Sequence, residues 1–303
     1  MRGVFIDANE SLAVIFERME KPGDPKVRIN RNPDITSDQY PALLDGAGIA
    51  VVDHTALPTE IAKKCSGLKH VVFLGTGARS YMSPEELGQL GISVHLIKGY
   101  GDTAVAECAI ALMWEAARGI ARMDREMRAG NWLREDGMQL TGKTLGLIGF
   151  GGIAAEVARI ARGSGMRVIA WNRSPKSHPG VDFVELDALL AQSDIISLHL
   201  LLNDETRGFI TRERIAAMKP GVIFVNTARG AIVDEQAMID ALKSGHIRHA
   251  GLDVFNIEPL PADHPLTKIP NVTLSAHSAF RTPEASENLM GAAWEHCRRI
   301  ARG

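Results

Sequence analysis

The stretch LGLIGFGGIAAEVA, residues 145–158, constrains the fold of this chain more than any other. An apolar run with strand character enters Gly149-Phe-Gly151-Gly-Ile-Ala154, and an apolar pattern with helical spacing follows at once. A strand, a G-x-G-x-x-A turn and a helix in that order form the opening of a parallel βαβ unit whose turn approaches a pyrophosphate. Gly149 permits the tight turn and Gly151 lets the backbone come close to an anion. Small Ala154 lets the helix pack on the strand, while the helix N-terminus faces the phosphates. Such a turn can be purely structural, but here a second strand ends at Trp171, about the distance at which dinucleotide sites place the residue that meets the ribose.

Short apolar runs alternate with helical patterns from end to end, which predicts an α/β protein with parallel sheets. In the first hundred residues the expected strands are Val4–Ile6, Ile49–Val52, His70–Leu74 and Ser93–Leu96, with a helical stretch at Ser83–Leu90. A second series covers 143–150, 167–171, 194–200, 222–226, 250–255 and 271–276, with helices such as Ile153–Arg162 and Glu235–Lys243 between them. Two series predict two doubly wound domains. Residues 1–99 with 284–303 are expected to form one and residues 100–283 the other, the final helix Glu284–Ala301 packing back on the first.

The 303 residues suffice for two ordinary cores, and 45% hydrophobic with 23% charged residues is the balance of a globular protein. A formal charge of −2 gives no electrostatic reason to expect nucleic acid or an anionic membrane as partner. Three cysteines (Cys65, Cys108, Cys297) without a close pair argue against a disulfide framework or a zinc site and fit a reducing cytosol. No metal site is expected. The start, MRGVFIDANE, reads as a first strand, and Ala104–Ala117 is too short and too polar to span a bilayer. A cytoplasmic protein is the expectation.

Where an NAD site places an acid at the end of the second strand, this sequence has Asn172, followed by Arg173 and Ser174. Loss of the carboxylate removes repulsion against a 2′-phosphate, and Arg173 and Ser174 offer it a charged donor and a hydroxyl. NADP(H) is favoured over NAD(H), the alternative being an Arg173 that is solvated or stacks on adenine.

In open α/β sheets, ligands lie beyond the carboxyl ends of the strands. Arg229 follows VIFVN, Glu258 follows AGLDVF and His277 follows NVTLSA, so three strand ends deliver polar groups to the edge that holds the glycine-rich turn. The set suits reduction of a 2-oxo acid. A guanidinium grips a carboxylate and polarises its carbonyl, an imidazolium donates a proton, and a carboxylate orients that imidazole. Taken singly, Arg229 could cap backbone carbonyls and Glu258 could be a solvated loop acid.

GFGGIA, NTARGAIVDE, LDVFNIEPLPADHPL and SAHSAFRTPEA together resemble the D-isomer-specific 2-hydroxyacid dehydrogenase family, from about residue 45 to the C-terminal helix. The resemblance implies a Rossmann-type cofactor domain inserted in a split, flavodoxin-like substrate domain, a homodimer, and an active site in the cleft between the domains. It assigns Arg229, Glu258 and His277 as the catalytic arginine, glutamate and histidine. Gly152 and Ile153 become the pyrophosphate contacts, Thr227, Ala228 and Leu200 the nicotinamide side, and Asp253 the neighbour of the carboxamide. In FLGTGARSYM, the amides of Gly75, Thr76 and Gly77 would receive the substrate carboxylate together with Arg229 and His277. Three departures stand out: Arg79 for an aspartate, Leu201 for a proline and Ala279 for a glycine. The function implied is an NAD(P)-dependent oxidoreductase of small 2-oxo and D-2-hydroxy acids, such as glyoxylate and hydroxypyruvate. A cofactor-sensing, corepressor-like binding protein on the same scaffold, or a dehydrogenase of phosphite or formate, is the alternative.

Overall fold

The computed structural model describes residues 1–303. The chain divides into two compact units, Met1–Gly101 with Arg281–Gly303, and Asp102–Phe280. Both divisions are displaced from the expected 99/100 and 283/284, for local reasons. The long helix Asp102–Arg118 starts directly after Gly101 and belongs wholly to the second unit. At the other end, Arg281 and Thr282 lead into the last helix, Pro283–Arg302, which Thr282 caps by accepting from the Ala285 N–H at 3.1 Å.

The first unit holds five strands: β1 (Gly3–Phe5), β2 (Val27–Ile29), β3 (Ile49–Val52), β4 (His70–Phe73) and β5 (Ser93–Leu96). They pair in parallel in the order β2-β1-β3-β4-β5. Successive residues alternate between two apolar layers. Val4, Ala50, Val52, Val71 and Phe73 face one layer, and Phe5, Ile49, Val51 and Val72 face the other. The second layer is closed by the helices Glu10–Arg18 and Pro283–Arg302. Phe16 stacks on Trp294 with ring centroids 4.4 Å apart, and the indole N–H donates to the Phe16 carbonyl at 2.7 Å. Arg298 adds a two-pronged ion pair to Asp24 at 2.8 and 2.7 Å. The final helix therefore docks on the first unit through one aromatic anchor whose polar atom is satisfied.

The second unit holds β6 (Thr144–Ile148), β7 (Arg167–Trp171), β8 (Asp182–Phe183), β9 (Ile195–Leu198), β10 (Val222–Asn226), β11 (Ile247–Leu252) and β12 (Val272–Leu274). All pair in parallel, in the order β12-β11-β10-β9-β6-β7-β8. Strand order reverses between β6 and β9, which is the switch point where such sheets open a crevice. Helices Asp102–Arg118 and Gly152–Gly163 cover one face, and Leu186–Gln192, Arg212–Ala216 and Glu235–Ser244 cover the other. Both units are doubly wound parallel α/β domains, and no helix is long and apolar enough to cross a membrane.

Strand β11 begins and ends three residues earlier than the sequence suggests. Arg248 and His249 interrupt its apolar run, yet His249 is buried, with its Nε2 2.8 Å from the Thr273 hydroxyl. A strand residue is thus hidden behind a polar letter, and Asp253–Phe255 have already left the ladder.

At the carboxyl edge of the first unit, Asp7 is fully buried and accepts N–H groups from Asp53, His54 and Thr55 at 2.8, 2.8 and 2.7 Å. The His54 ring joins this group, with Nδ1 3.2 Å from Asp53 and Nε2 3.0 Å from the Pro33 carbonyl. Its pKa rises from 6.5 to about 9, chiefly through the bond to Asp53, with Asp7 adding and burial opposing. A value raised on folding stabilises fully below about pH 6.5 and is lost as pH climbs through about 9. His54→Gln should therefore flatten the fall in denaturant midpoint across that window. Equal slopes in variant and parent would show that the imidazolium contributes nothing.

Candidate active site

The glycine-rich turn sits at the switch point. Gly149 has φ +88°, and a Cβ there would lie 2.6 Å from the His199 carbonyl oxygen and 2.9 Å from the Leu200 side chain. The turn and the end of β9 can meet only because residue 149 has no side chain. Above Gly151 a Cβ would meet nothing within 4 Å, so the turn is open on that side. At Gly152 a Cβ would fall 1.8 Å from Asp102 Oδ2; burial, helped by Glu156, holds that carboxyl above its usual range. Ile153 and Ala154 follow in the first turn of Gly152–Gly163, whose leading N–H groups have no intrahelical acceptors. At the end of β10, Thr227 Oγ1 is buried without a hydrogen-bond partner. An open cradle, free amides and an orphaned hydroxyl on one edge fit a dinucleotide.

Asn172 braces this turn. Its Oδ1 accepts from the Phe150 N–H at 3.1 Å and its Nδ2 donates to the Ser174 carbonyl at 2.8 Å. Ser174 thus contributes its carbonyl to the turn. Lys176, unremarked in the sequence, reaches back to the Phe150 carbonyl at 2.5 Å. Arg173 is exposed and forms an ion pair with Glu205, from the loop after β9.

Why glycine follows the arginine at the end of VIFVN is answered by packing. A Cβ on Gly230 would lie 2.2 Å from the Phe255 carbonyl carbon and 2.5 Å from the Asn256 nitrogen. Only glycine lets the arginine loop rest against the backbone of the next strand's loop. Buried Asn226 staples the turn, accepting from the Ala228 N–H at 2.9 Å and donating to the Arg229 carbonyl at 3.0 Å. The Arg229 guanidinium is exposed, donates to the Ala228 carbonyl at 2.6 Å and has no carboxylate partner.

His277 and Glu258 are joined directly, Nδ1 to Oε2 at 2.6 Å, and Glu258 Oε1 accepts from the Phe255 N–H at 2.9 Å. His277 has φ +48°, a conformation that residues other than glycine rarely adopt. Asp253 holds it there. Its buried carboxylate accepts the Ser275 hydroxyl at 2.5 Å and the N–H groups of Ser278 and Ala279 at 3.0 Å each, while its carbonyl accepts the His277 N–H at 2.8 Å. Ser275 and Asn226 are supporting residues that the sequence alone does not mark, whereas Gly230 stands out in it, directly after an arginine.

In the first unit, the Gly75 N–H is donated to the Phe73 carbonyl at 2.8 Å, which leaves Thr76 and Gly77 as the open amides of that loop. Arg79 is tied by both guanidinium nitrogens to Glu85 on the surface. Arg281 and Phe280 are exposed, as is Trp132.

Residues 110–279 match the NAD binding domain of the D-isomer specific 2-hydroxyacid dehydrogenases. The chain is 37% identical over 286 residues to the hydroxypyruvate reductase of Thermotoga maritima, covering 92% of this chain and 88% of that protein. Its structure is similar to a glyoxylate reductase from Paecilomyes thermophila, with a TM-score of 0.87, 30% identity, and coverage of 99% of this chain and 95% of that one. It is also similar to an acyclic imino acid reductase solved with NADPH and D-Arg, with a TM-score of 0.83, 31% identity, and coverage of 96% and 94%. These relatives set aside the corepressor-like reading and the phosphite and formate readings. The chain belongs to the D-isomer-specific 2-hydroxyacid dehydrogenase family and is an NAD(P)-dependent oxidoreductase of small 2-hydroxy acids.

Proposed function

We propose that the protein reduces a 2-oxo acid of the size of glyoxylate or hydroxypyruvate to the D-2-hydroxy acid, with NADP(H) preferred over NAD(H). The observation that carries this reading is the 2.6 Å contact between His277, on a loop pinned by Asp253, and Glu258, with Arg229 at the end of β10 on the same sheet edge and without a carboxylate partner. A nicotinamide cofactor held by the glycine-rich turn would supply the hydride that C2 of the substrate gains on reduction. Glu258, anchored at Oε1, fixes the Nδ1–H of His277, so Nε2 is the atom left to act on substrate. In reduction, Nε2 of the imidazolium gives its proton to the carbonyl oxygen as the C=O π bond breaks; in oxidation, neutral Nε2 takes the hydroxyl proton back. Arg229 carries a planar fork of donors whose present partner is a neutral carbonyl. Exchange for a substrate carboxylate replaces that contact with a charge-assisted pair. Thr76 and Gly77 are proposed as amide donors to a substrate carboxylate.

The preference for NADP(H) rests on Arg173 beside a strand end without an acid. Free cysteines suit a reducing cytoplasm. A homodimer is proposed because Ile120, Met127 and Trp132, within one segment of the second unit, are 58%, 55% and 74% exposed. A monomeric mass by light scattering would overturn that assembly.

Initial rates with glyoxylate, hydroxypyruvate, pyruvate and phenylpyruvate, each with NADPH and NADH, test the reading. Turnover of the two smallest acids, better with NADPH, is expected; a preference for phenylpyruvate or for NADH contradicts the respective part. His277→Ala should lower kcat by ~10²–10⁴ while cofactor affinity stays near that of the parent. Asp253→Asn presents an amide N–H where backbone N–H groups converge. It should lower kcat by about 10- to 100-fold, the scale of a lost charge-assisted hydrogen bond, while cofactor affinity stays near that of the parent. A parental kcat in either variant removes that residue from its role.

A further inference from the structure

The loop after β9 places a carboxylate on the residue that was read as the 2′-phosphate binder. Arg173 and Glu205 form an ion pair in which the two side chains are 74% and 68% exposed. The backbone beneath Glu205 is braced. Asn203 Oδ1 accepts the N–H groups of Glu205 and Thr206 at 3.0 Å each, and the Thr206 hydroxyl donates to the Leu201 carbonyl at 2.6 Å. β9 is the neighbour of β6 across the switch point, and Leu200 lies against Gly149, so this loop stands beside the glycine-rich turn. Asn172 is meanwhile committed to Phe150 and Ser174 and supplies no charge.

We propose that Glu205 is a specificity-determining residue: its carboxylate competes with a cofactor 2′-phosphate for the guanidinium of Arg173, and so limits the preference for NADP(H) over NAD(H). The inference rests on the reading of Arg173 as the phosphate-binding group. An exposed ion pair is weak and screened by salt, so a dianionic phosphate able to take the guanidinium fork displaces it. The displacement weakens binding only of the cofactor that carries the phosphate. A ribose with a free 2′-hydroxyl leaves the pair intact. The braced loop matters because it holds the acid near Arg173 at little further entropic cost, which makes the competition persistent.

The test is the dissociation constant of NADPH and of NADH, measured without substrate by quenching of protein fluorescence, at low and at high salt. The proteins compared are the parent, Glu205→Gln, Arg173→Gln and the double variant, with thermal unfolding to verify that the folds are equivalent. Glu205→Gln should tighten NADPH by roughly 2- to 5-fold at low salt, less at high salt, without tightening NADH. In the Arg173→Gln background the same change should bring no gain. Unchanged NADPH binding in Glu205→Gln, equal tightening of both cofactors, or a gain that persists without Arg173 would each overturn the competition. An Arg173→Gln protein with the parental NADPH-to-NADH ratio would overturn the phosphate reading itself. An Arg173→Gln protein that loses NADPH affinity while Glu205→Gln changes nothing would reject Glu205 alone.

Discussion

The carboxylate of Asp253 is the contact on which the rest of the site depends. It is buried at the end of β11, where an unpaired charge would be costly, and its stability comes from three donors on the loop that follows β12. Those donors flank His277, so satisfying the charge and setting the histidine backbone are the same event. The positive φ of His277 persists because the contacts on either side of it over-determine the loop. From there the chain of constraint runs outward, from His277 to Glu258, from Glu258 to the Phe255 amide, and from the Phe255–Asn256 backbone to Gly230 and the arginine loop. Three loops from three adjacent strands are locked together by one charge, one carboxylate–imidazole contact and one missing Cβ.

The rigid parts and the exchangeable parts of this site differ in kind. His277, Glu258 and Asp253 are held through hydrogen bonds to the backbone and to one another, which fixes angle as well as distance. Arg229 and Arg173 are cations on exposed side chains with weak partners, a neutral carbonyl in one case and a solvated carboxylate in the other. An incoming anion improves on either partner. Proton transfer needs fixed geometry, whereas anion capture needs a donor that is charged and free to change hands. The two classes of residue are built accordingly.

The glycine-rich turn, the two series of strands and the strand-end trio were legible because each leaves a local pattern: spacing for the turn, periodicity for the strands, and a polar letter closing an apolar run for the trio. What escaped reading depends on contacts distant in sequence. β2 has no fully buried residue and β8 is only two residues long, so neither has an apolar run to find. β11 was displaced because His249 is buried through a partner 24 residues away. Asp253 was expected near the carboxamide, and nothing in its sequence neighbourhood announces that it is also the keystone of a loop 22 to 26 residues downstream. Glu205 lies 32 residues from Arg173, in a segment that reads only as a polar turn.

The two units also show how one topology is left open in one case and closed in the other. Each sheet has a switch point at which strand order reverses, between β1 and β3 in the first unit and between β6 and β9 in the second. Backbone amides gathered at such a point attract an anion. In the first unit the chain provides its own, since Asp7 receives three consecutive N–H groups after β3 and is wholly buried in doing so. In the second unit the turn after β6 carries glycines at 149 and 151, and a Cβ on Gly151 would meet no atom within 4 Å. In the first unit Asp7 thus takes up the amides that follow β3. The turn after β6 brings no acid of its own to the leading amides of Gly152–Gly163, which are left to an external anion.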